Sequence, residues 1–183
     1  MLYPKDAPIL LIGYRATGKS LVARELASRL GYKSIDADDV IEEQAGKSIA
    51  LIFAEEGEVA FREMEARVVA SLAKESKTVV ALGGGAVLRT ENRDAIRAAG
   101  PIVWLQANVD TIMERLVVDS ATPSRRPNLT SAGGRAEVEE LLAVRTPLYL
   151  ECATLTVETD GKSVGKIASE IITKLDAETM SSP

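Results

Sequence analysis

Twelve consecutive residues constrain this chain more than any others: Ile9-Leu10-Leu11-Ile12-Gly13-Tyr14-Arg15-Ala16-Thr17-Gly18-Lys19-Ser20. The four apolar residues predict a short buried strand, and Gly13 opens a loop. Gly18-Lys19-Ser20 then passes straight into an apolar-periodic helix, with Leu21, Val22, Leu26 and Leu30 expected on its inner side. Strand, G-x-x-x-x-G-K-[ST] and helix in this order form the phosphate-binding P-loop in the context its mechanism requires. Glycines let backbone N–H groups converge on phosphate oxygens, and the helix N-terminus adds unpaired donors and partial positive charge. Lys19 is placed to reach the β- and γ-phosphates of a nucleotide, and the Ser20 hydroxyl to bind Mg²⁺.

Bulk properties narrow the partners. At 183 residues the chain is long enough for one domain with a substantial core, and 46% hydrophobic with 27% charged residues is ordinary globular composition. A net charge of −5 gives no support to nucleic-acid binding. With no histidine in the sequence, Ser–His triads, histidine bases and histidine metal ligands are excluded. The single cysteine, Cys152, cannot form an intrachain disulfide and fits a reducing compartment; a buried small side chain is expected there rather than a reactive thiol. Residues 1–8 carry no apolar run, and no run is long enough to span a membrane, so a cytoplasmic protein without a signal peptide is expected.

Strands and helices alternate along the chain. Strands are expected at 33–36, 78–82, 101–105 and 154–157, and helices at 40–45, 48–55, 58–73, 90–98, 109–118, 135–147 and 163–175. Gly31 is a natural end for the first helix, Ser48 and Thr90 are natural starts, and 176–183 reads as a frayed tail. Residues 119–134 lack apolar periodicity and are long for a connection, which predicts a mobile lid. The pattern specifies an α/β fold around a parallel sheet, in which ligands bind beyond the carboxyl ends of the strands. The P-loop, the acidic run after the second strand and Gly83-Gly84-Gly85 after the third all fall at such ends.

Phosphoryl transfer needs Mg²⁺, positive charge around the moving group and an acceptor held in line. Of Asp36 and Asp38, one can hold Mg²⁺ through water while the other orients or deprotonates an acceptor hydroxyl; capping of the next helix by Asp38 or Asp39 is the competing explanation. Gly83, Gly84 and Gly85 predict a ligand pressed against bare backbone, against the alternative of a plain turn. Arg145 falls on the inward stripe of Val138, Leu141 and Leu142, and a guanidinium facing inward needs an anion. With Arg62 it would suit a substrate carboxylate, unless both pair with glutamates of the chain itself. Arg125 and Arg126 are candidates for closing over a nucleotide, or are a solvated pair.

Together these residues resemble the shikimate kinase family. The resemblance runs from about Ile9 to Leu175, through the P-loop, Ile35-Asp36-Ala37-Asp38, Phe61-Arg62 with Glu65, Leu82 to Val87, Arg126-Pro127 and Arg145-Thr146-Pro147-Leu148-Tyr149. It implies a three-layer α/β/α nucleoside-monophosphate-kinase-like fold with a five-stranded parallel sheet in order 2-3-1-4-5. It also implies transfer of the ATP γ-phosphate to the 3-hydroxyl of shikimate in aromatic amino-acid biosynthesis. On that resemblance Gly13, Ala16, Thr17, Gly18, Lys19, Ser20 and Leu21 hold the nucleotide phosphates, and Arg115 and Lys162 flank the adenine. Ser20 and Asp36 hold Mg²⁺, and Asp38, Arg62, Gly83, Gly84, Gly85 and Arg145 bind the acceptor. Lys19, Asp38 and the lid residue Arg126 act in catalysis. Residues 1–183 would form a single domain and a monomer, with an acceptor-binding region at about 37–73, a lid at 119–134 and no nucleic-acid or membrane partner. Ala16 stands where the family usually has another glycine, the segment between Arg115 and Arg126 looks longer than usual, and the loop 160–165 lacks a proline often found near the adenine.

Other functions share some of these features. A gluconate-type kinase has the same fold and P-loop, but its family typically carries a histidine near the acidic pair, and the triple glycine is not its signature. A nucleoside monophosphate kinase would not need the acidic pair with these arginines. A non-catalytic binding module derived from the enzyme should have lost at least one of Lys19, Ser20, Asp36, Asp38 and Arg126.

Overall fold

The computed structural model describes residues 3–4, 6–119 and 134–180. Five parallel strands form one sheet in the order β2-β3-β1-β4-β5, with β1 at Ile9–Ile12, β2 at Lys33–Asp36, β3 at Thr78–Ala81, β4 at Ile102–Gln106 and β5 at Leu155–Glu158. This is the order the resemblance implies. Position in the sheet explains each strand's composition. Strands β1, β3 and β4 are covered on both faces, so ILLI, TVVA and IVWL are buried residue after residue. The edge strand β5 alternates, with Leu155 and Val157 inward and Thr156 and Glu158 outward.

The helices are α1 at Lys19–Leu30, α2 at Ala37–Ala45, α3 at Ile49–Glu55, α4 at Gly57–Leu72, α5 at Thr90–Ala99, α6 at Val109–Asp119, α7 at Gly134–Cys152 and α8 at Val164–Met180. Strand alternation divides the core into two layers. Leu10, Ile12, Val80, Leu82, Ile102 and Trp104 pack with residues of α2 to α5 and α7. Ile9, Leu11, Val79, Ala81, Val103 and Leu105 pack with α1 and α8. A third cluster, Tyr14, Ala107, Ile112 and Val138, joins the P-loop to α6 and α7.

Several boundaries differ from the sequence expectation. Helix α2 begins at Ala37 because Asp36 is its cap, accepting from the Asp38 amide at 3.0 Å; neither Asp38 nor Asp39 plays that part. Thr90 is the first residue of α5 rather than its cap, and Ala86–Leu88 form an unanticipated 3₁₀ turn. Helix α7 continues through Pro147, because the turn beyond it buries Tyr149 and Cys152 in the core. Packing there outweighs the backbone bond a proline removes. Helix α8 runs to Met180, so 176–180 are helical rather than a frayed tail, while 181–183 lie outside the described residues. Leu21 is 55% exposed and points outward, on the far side of α1 from Val22 and Leu26. Asp119 and Gly134 are helix ends; the rest of the expected lid, 120–133, with Arg125 and Arg126, lies outside the described residues. Among the described residues no helix is long and apolar enough to cross a membrane.

Candidate active site

The loop from β1 to α1 sits where the chain's neighbours change, with β3 on one side of β1 and β4 on the other. Such a switch point opens a crevice beyond the strand ends. Gly18, at φ +91°, turns the loop into α1. Ala16 occupies the left-handed region as well, at φ +62°. An L-residue there is strained by roughly 1–2 kcal/mol relative to its ordinary conformations, so the alanine stands where glycine would fit without strain. Lys19 is buried, and its Nζ donates to the carbonyl oxygens of Gly13 and Tyr14, both at 2.8 Å, which bends its ammonium across the mouth of the loop. Ser20 donates from its hydroxyl to Asp36 Oδ2 at 2.5 Å. One hydroxyl and one carboxylate oxygen are thereby set side by side next to the loop. Magnesium in kinases is bound by such a small oxygen set together with phosphates and water. Among the described residues no three acidic or thiol side chains gather as a cage.

Across the loop lies a second cavity, lined by Asp38, Phe61, Arg62, Glu65, Gly83 to Gly85 and Arg145, with Ile49 and Phe53 as its apolar wall. The three glycines have separate duties. A Cβ on Gly83 would stand 2.9 Å from Asp38 Oδ1 and 3.0 Å from Glu65 Oε1. On Gly84 it would press the Gly13 carbonyl oxygen at 3.3 Å and approach Arg145 Nη1 at 3.5 Å, and on Gly85 it would lie 2.8 Å from Arg62 Cζ. Bare backbone here lets the cavity's own charged side chains and the P-loop close in, beyond any role in touching a ligand. Tyr149 fixes the turn by donating to the Gly84 carbonyl oxygen at 2.6 Å, with its ring stacked on Trp104 at 5.7 Å.

The two arginines differ. Arg62 is paired along its own helix, with Glu65 at 2.8 Å and Glu58 at 3.1 Å. For this residue the expected alternative, pairing within the chain, is the one observed. Burial pushes the Glu65 carboxyl up, with the guanidinium groups of Arg62, Arg145 and Arg89 opposing. Arg145 is only 5% exposed, its Nε has no hydrogen-bond partner, and among the described residues it forms no ion pair. The Tyr14 ring lies 5.7 Å from its Cζ, and the Glu65 carboxyl feels its charge. Burying a guanidinium without an ion pair costs the fold free energy.

On the other flank of the loop, Arg115 donates to the carbonyl oxygens of Ala16 at 3.2 Å and Thr159 at 3.0 Å, and to the Thr159 hydroxyl at 3.0 Å. It ties the P-loop to the turn after β5. Lys162 lies on that turn but reaches back to Glu170 of α8 at 2.7 Å. Cys152 is buried and burial pushes its thiol up, in keeping with a packing role. Glu65, quoted beside Arg62 in the sequence but given no role there, lines the cavity, and Glu137, which had no local signal, pairs with the P-loop residue Arg15 at 2.7 Å across 122 positions.

The P-loop and the cavity meet at Gly84, where a Cβ would stand 3.3 Å from the Gly13 carbonyl oxygen and 3.5 Å from Arg145 Nη1. That is the arrangement of a P-loop phosphotransferase acting on a small anionic acceptor. Comparison with known proteins narrows the class. A family model described as shikimate kinase matches residues 15–176. A shikimate kinase of Rhodopirellula baltica is 42% identical over 168 residues, 92% of this chain and 90% of that protein. The structure of a shikimate kinase from Acinetobacter baumannii in complex with shikimate superposes with a TM-score of 0.88 at 33% identity, over 95% of both chains. A gluconokinase from Sinorhizobium meliloti, at 18% identity and a TM-score of 0.58, shares the fold alone. The chain belongs to the shikimate kinase family.

Proposed function

We propose that this protein transfers the γ-phosphate of ATP to the 3-hydroxyl of shikimate, giving shikimate 3-phosphate and ADP for aromatic amino-acid biosynthesis. The observation that carries the reading is Arg145: a buried guanidinium without an ion-pair partner among the described residues, facing a cavity that adjoins the P-loop. A planar fork of donors suits a carboxylate, and shikimate is a hydroxylated ring bearing one.

In this reading the backbone of Gly13 and Ala16 to Leu21 cradles the phosphates, and Lys19 leaves the Gly13 and Tyr14 carbonyls to follow charge onto the transferring group. Ser20 and Asp36 would hold Mg²⁺, which supplies charge neutralisation between the phosphates. Asp38 accepts a hydrogen bond from the acceptor hydroxyl and aims it in line. Arg145 binds the carboxylate directly, and Arg62 does so from a seat fixed by Glu58, Glu65 and the absence of a side chain on Gly85. Arg115 and Lys162 flank the adenine, and Arg126 in the 119–134 lid closes on the phosphates. Residues 1–183 act as one kinase domain, with 37–73 as the acceptor region, and the protein works as a cytoplasmic monomer without nucleic-acid or membrane partners.

A coupled assay of ADP release tests this with shikimate, gluconate, AMP or no acceptor. Turnover with shikimate alone is expected. Turnover with gluconate or AMP would move the chain to another kinase class, and ADP release independent of acceptor would leave only an ATPase.

A further inference from the structure

Arg89 has no place in the roles above. It follows the glycine turn and the 3₁₀ turn Ala86–Leu88, and it is half-buried at the start of α5. The segment that carries it is held from several sides. Ala86 and Leu88 donate their amides to the Gly83 and Gly85 carbonyl oxygens, each at 3.0 Å. Asn92 Nδ2 donates to the Ala86 carbonyl oxygen at 2.9 Å, and Arg93 Nη1 to that of Val87 at 2.8 Å. From this mount Arg89 Nη1 donates to the Arg62 carbonyl oxygen of α4, 27 positions away, at 3.2 Å. The glycine turn and α4 are thereby joined at the residue whose guanidinium lines the acceptor cavity.

The charge of Arg89 also reaches Glu65, the buried carboxyl that accepts from Arg62 Nη1 at 2.8 Å. Charged groups from several elements face this carboxyl. Arg62 pairs with it from α4 itself, Arg145 bears on it from α7, and Arg89 does so from the turn ahead of α5. Asp38 of α2 lies across Gly83, where a Cβ would stand 2.9 Å from Asp38 Oδ1 and 3.0 Å from Glu65 Oε1. Burial pushes the Glu65 carboxyl up, and the three guanidinium groups pull it down. A protonated Glu65 would lose its ion pair with Arg62 and leave that guanidinium to the exposed Glu58 alone. The seating of Arg62 in the cavity thus depends on the positive charge around Glu65.

We propose that Arg89 is a positioning residue for acceptor binding: bonded to the Arg62 carbonyl, with its charge bearing on Glu65, it secures the Arg62–Glu65 pair that presents Arg62 to the carboxylate of the acceptor. The inference rests on the acceptor reading above. Arg89 acts through Arg62 and Glu65, so its effect falls on acceptor affinity and leaves the nucleotide loop unaltered.

Calorimetric titration of shikimate into wild type, Arg89→Gln and Arg89→Lys, at intervals between about pH 5 and about pH 9, tests the proposal. The ATP KM of each is measured alongside. Glutamine keeps a donor for the Arg62 carbonyl and removes the charge, whereas lysine keeps the charge. Without that charge the Glu65 carboxyl rises further, so its ion pair with Arg62 is complete at high pH and is lost earlier as pH falls. In the ratio of variant to wild-type Kd the ionisation of shikimate itself cancels. For Arg89→Gln this ratio should be near one towards about pH 9 and reach about threefold to fivefold towards about pH 5, the scale of one partly exposed charge interaction. Arg89→Lys should stay within about twofold of wild type at every pH, and the ATP KM of both variants within about twofold. A ratio for Arg89→Gln that is flat with pH overturns the proposal, since a merely structural tie would be lost alike at every pH. A loss that falls on ATP instead also overturns it. If Arg89→Gln does not fold, Arg89→Lys decides: a Kd within about twofold of wild type throughout supports the proposal, and a larger ratio overturns it. Wild-type protein that does not bind shikimate overturns the acceptor reading itself, and this inference with it.

Discussion

On the proposed function, Arg145 is where stability and function conflict most openly. A buried guanidinium with an orphaned Nε costs the folded protein on the order of 1–3 kcal/mol of desolvation until an anion arrives. Arg145→Met keeps most of the side chain's volume and removes that burden, so it should raise the melting temperature of the ligand-free protein. The same change should weaken shikimate binding by on the order of 2–5 kcal/mol, as for a desolvated ion pair that loses one partner. Arg145→Lys, which keeps charge but not the fork, should fall between. Calorimetry and thermal melts on the two variants check both halves, and a methionine variant that is less stable yet still binds shikimate would mean that Arg145 serves packing. The residue was legible in sequence because a charged side chain interrupted an apolar stripe. Its partner state was not, since the choice between an internal glutamate and an open cavity depends on which segments surround it. Arg62 shows the other outcome of that choice, and its partners Glu58 and Glu65 lie at helical spacing where i to i+4 contacts form.

Among elements, the glycine turn after β3 has a structural reason for its bare backbone besides the ligand contact expected from sequence. Three glycines were expected to bare backbone to a ligand, whereas the space they leave is filled in part by Asp38, Glu65, Arg62 and the P-loop. Gly85→Ala should therefore act through Arg62, whose guanidinium is held by two glutamates and must shift to admit the new methyl. We expect the shikimate KM to rise about tenfold or more from misplacement of that cation, with little change in the ATP KM. Steady-state kinetics with each substrate varied separately would show this, and an equal rise in both constants would place the turn under the nucleotide instead. Element boundaries were read less well than element identities. Pro147 would end a helix in isolation, and Asp38 would cap one, but the burial of Tyr149 and the position of Asp36 at the end of β2 decided otherwise. Those are tertiary effects, invisible to local pattern. Ala16, by contrast, is a local matter: it departs from the family's usual glycine, and the backbone it sits on is still that of a glycine.

For the whole molecule, strand composition carries the argument. The continuous apolar runs of β1, β3 and β4 fit their interior positions in the sheet, and the interior of a parallel sheet is where a switch in strand order can place a crevice. The P-loop, Asp36 and the glycine turn follow adjacent strands, so their convergence was contained in the alternation of strands and helices. Contacts between distant segments, Arg15 with Glu137 above all, were not contained in it. The account's central claim is that this crevice moves a phosphoryl group from ATP to one hydroxyl of shikimate. The most direct measurement is ³¹P and ¹H NMR of the products formed from ATP, Mg²⁺ and shikimate. A single phosphate monoester whose phosphorus couples to the proton on carbon 3 is the predicted result. A phosphate on another hydroxyl, or ADP and inorganic phosphate with shikimate unchanged, would contradict the account.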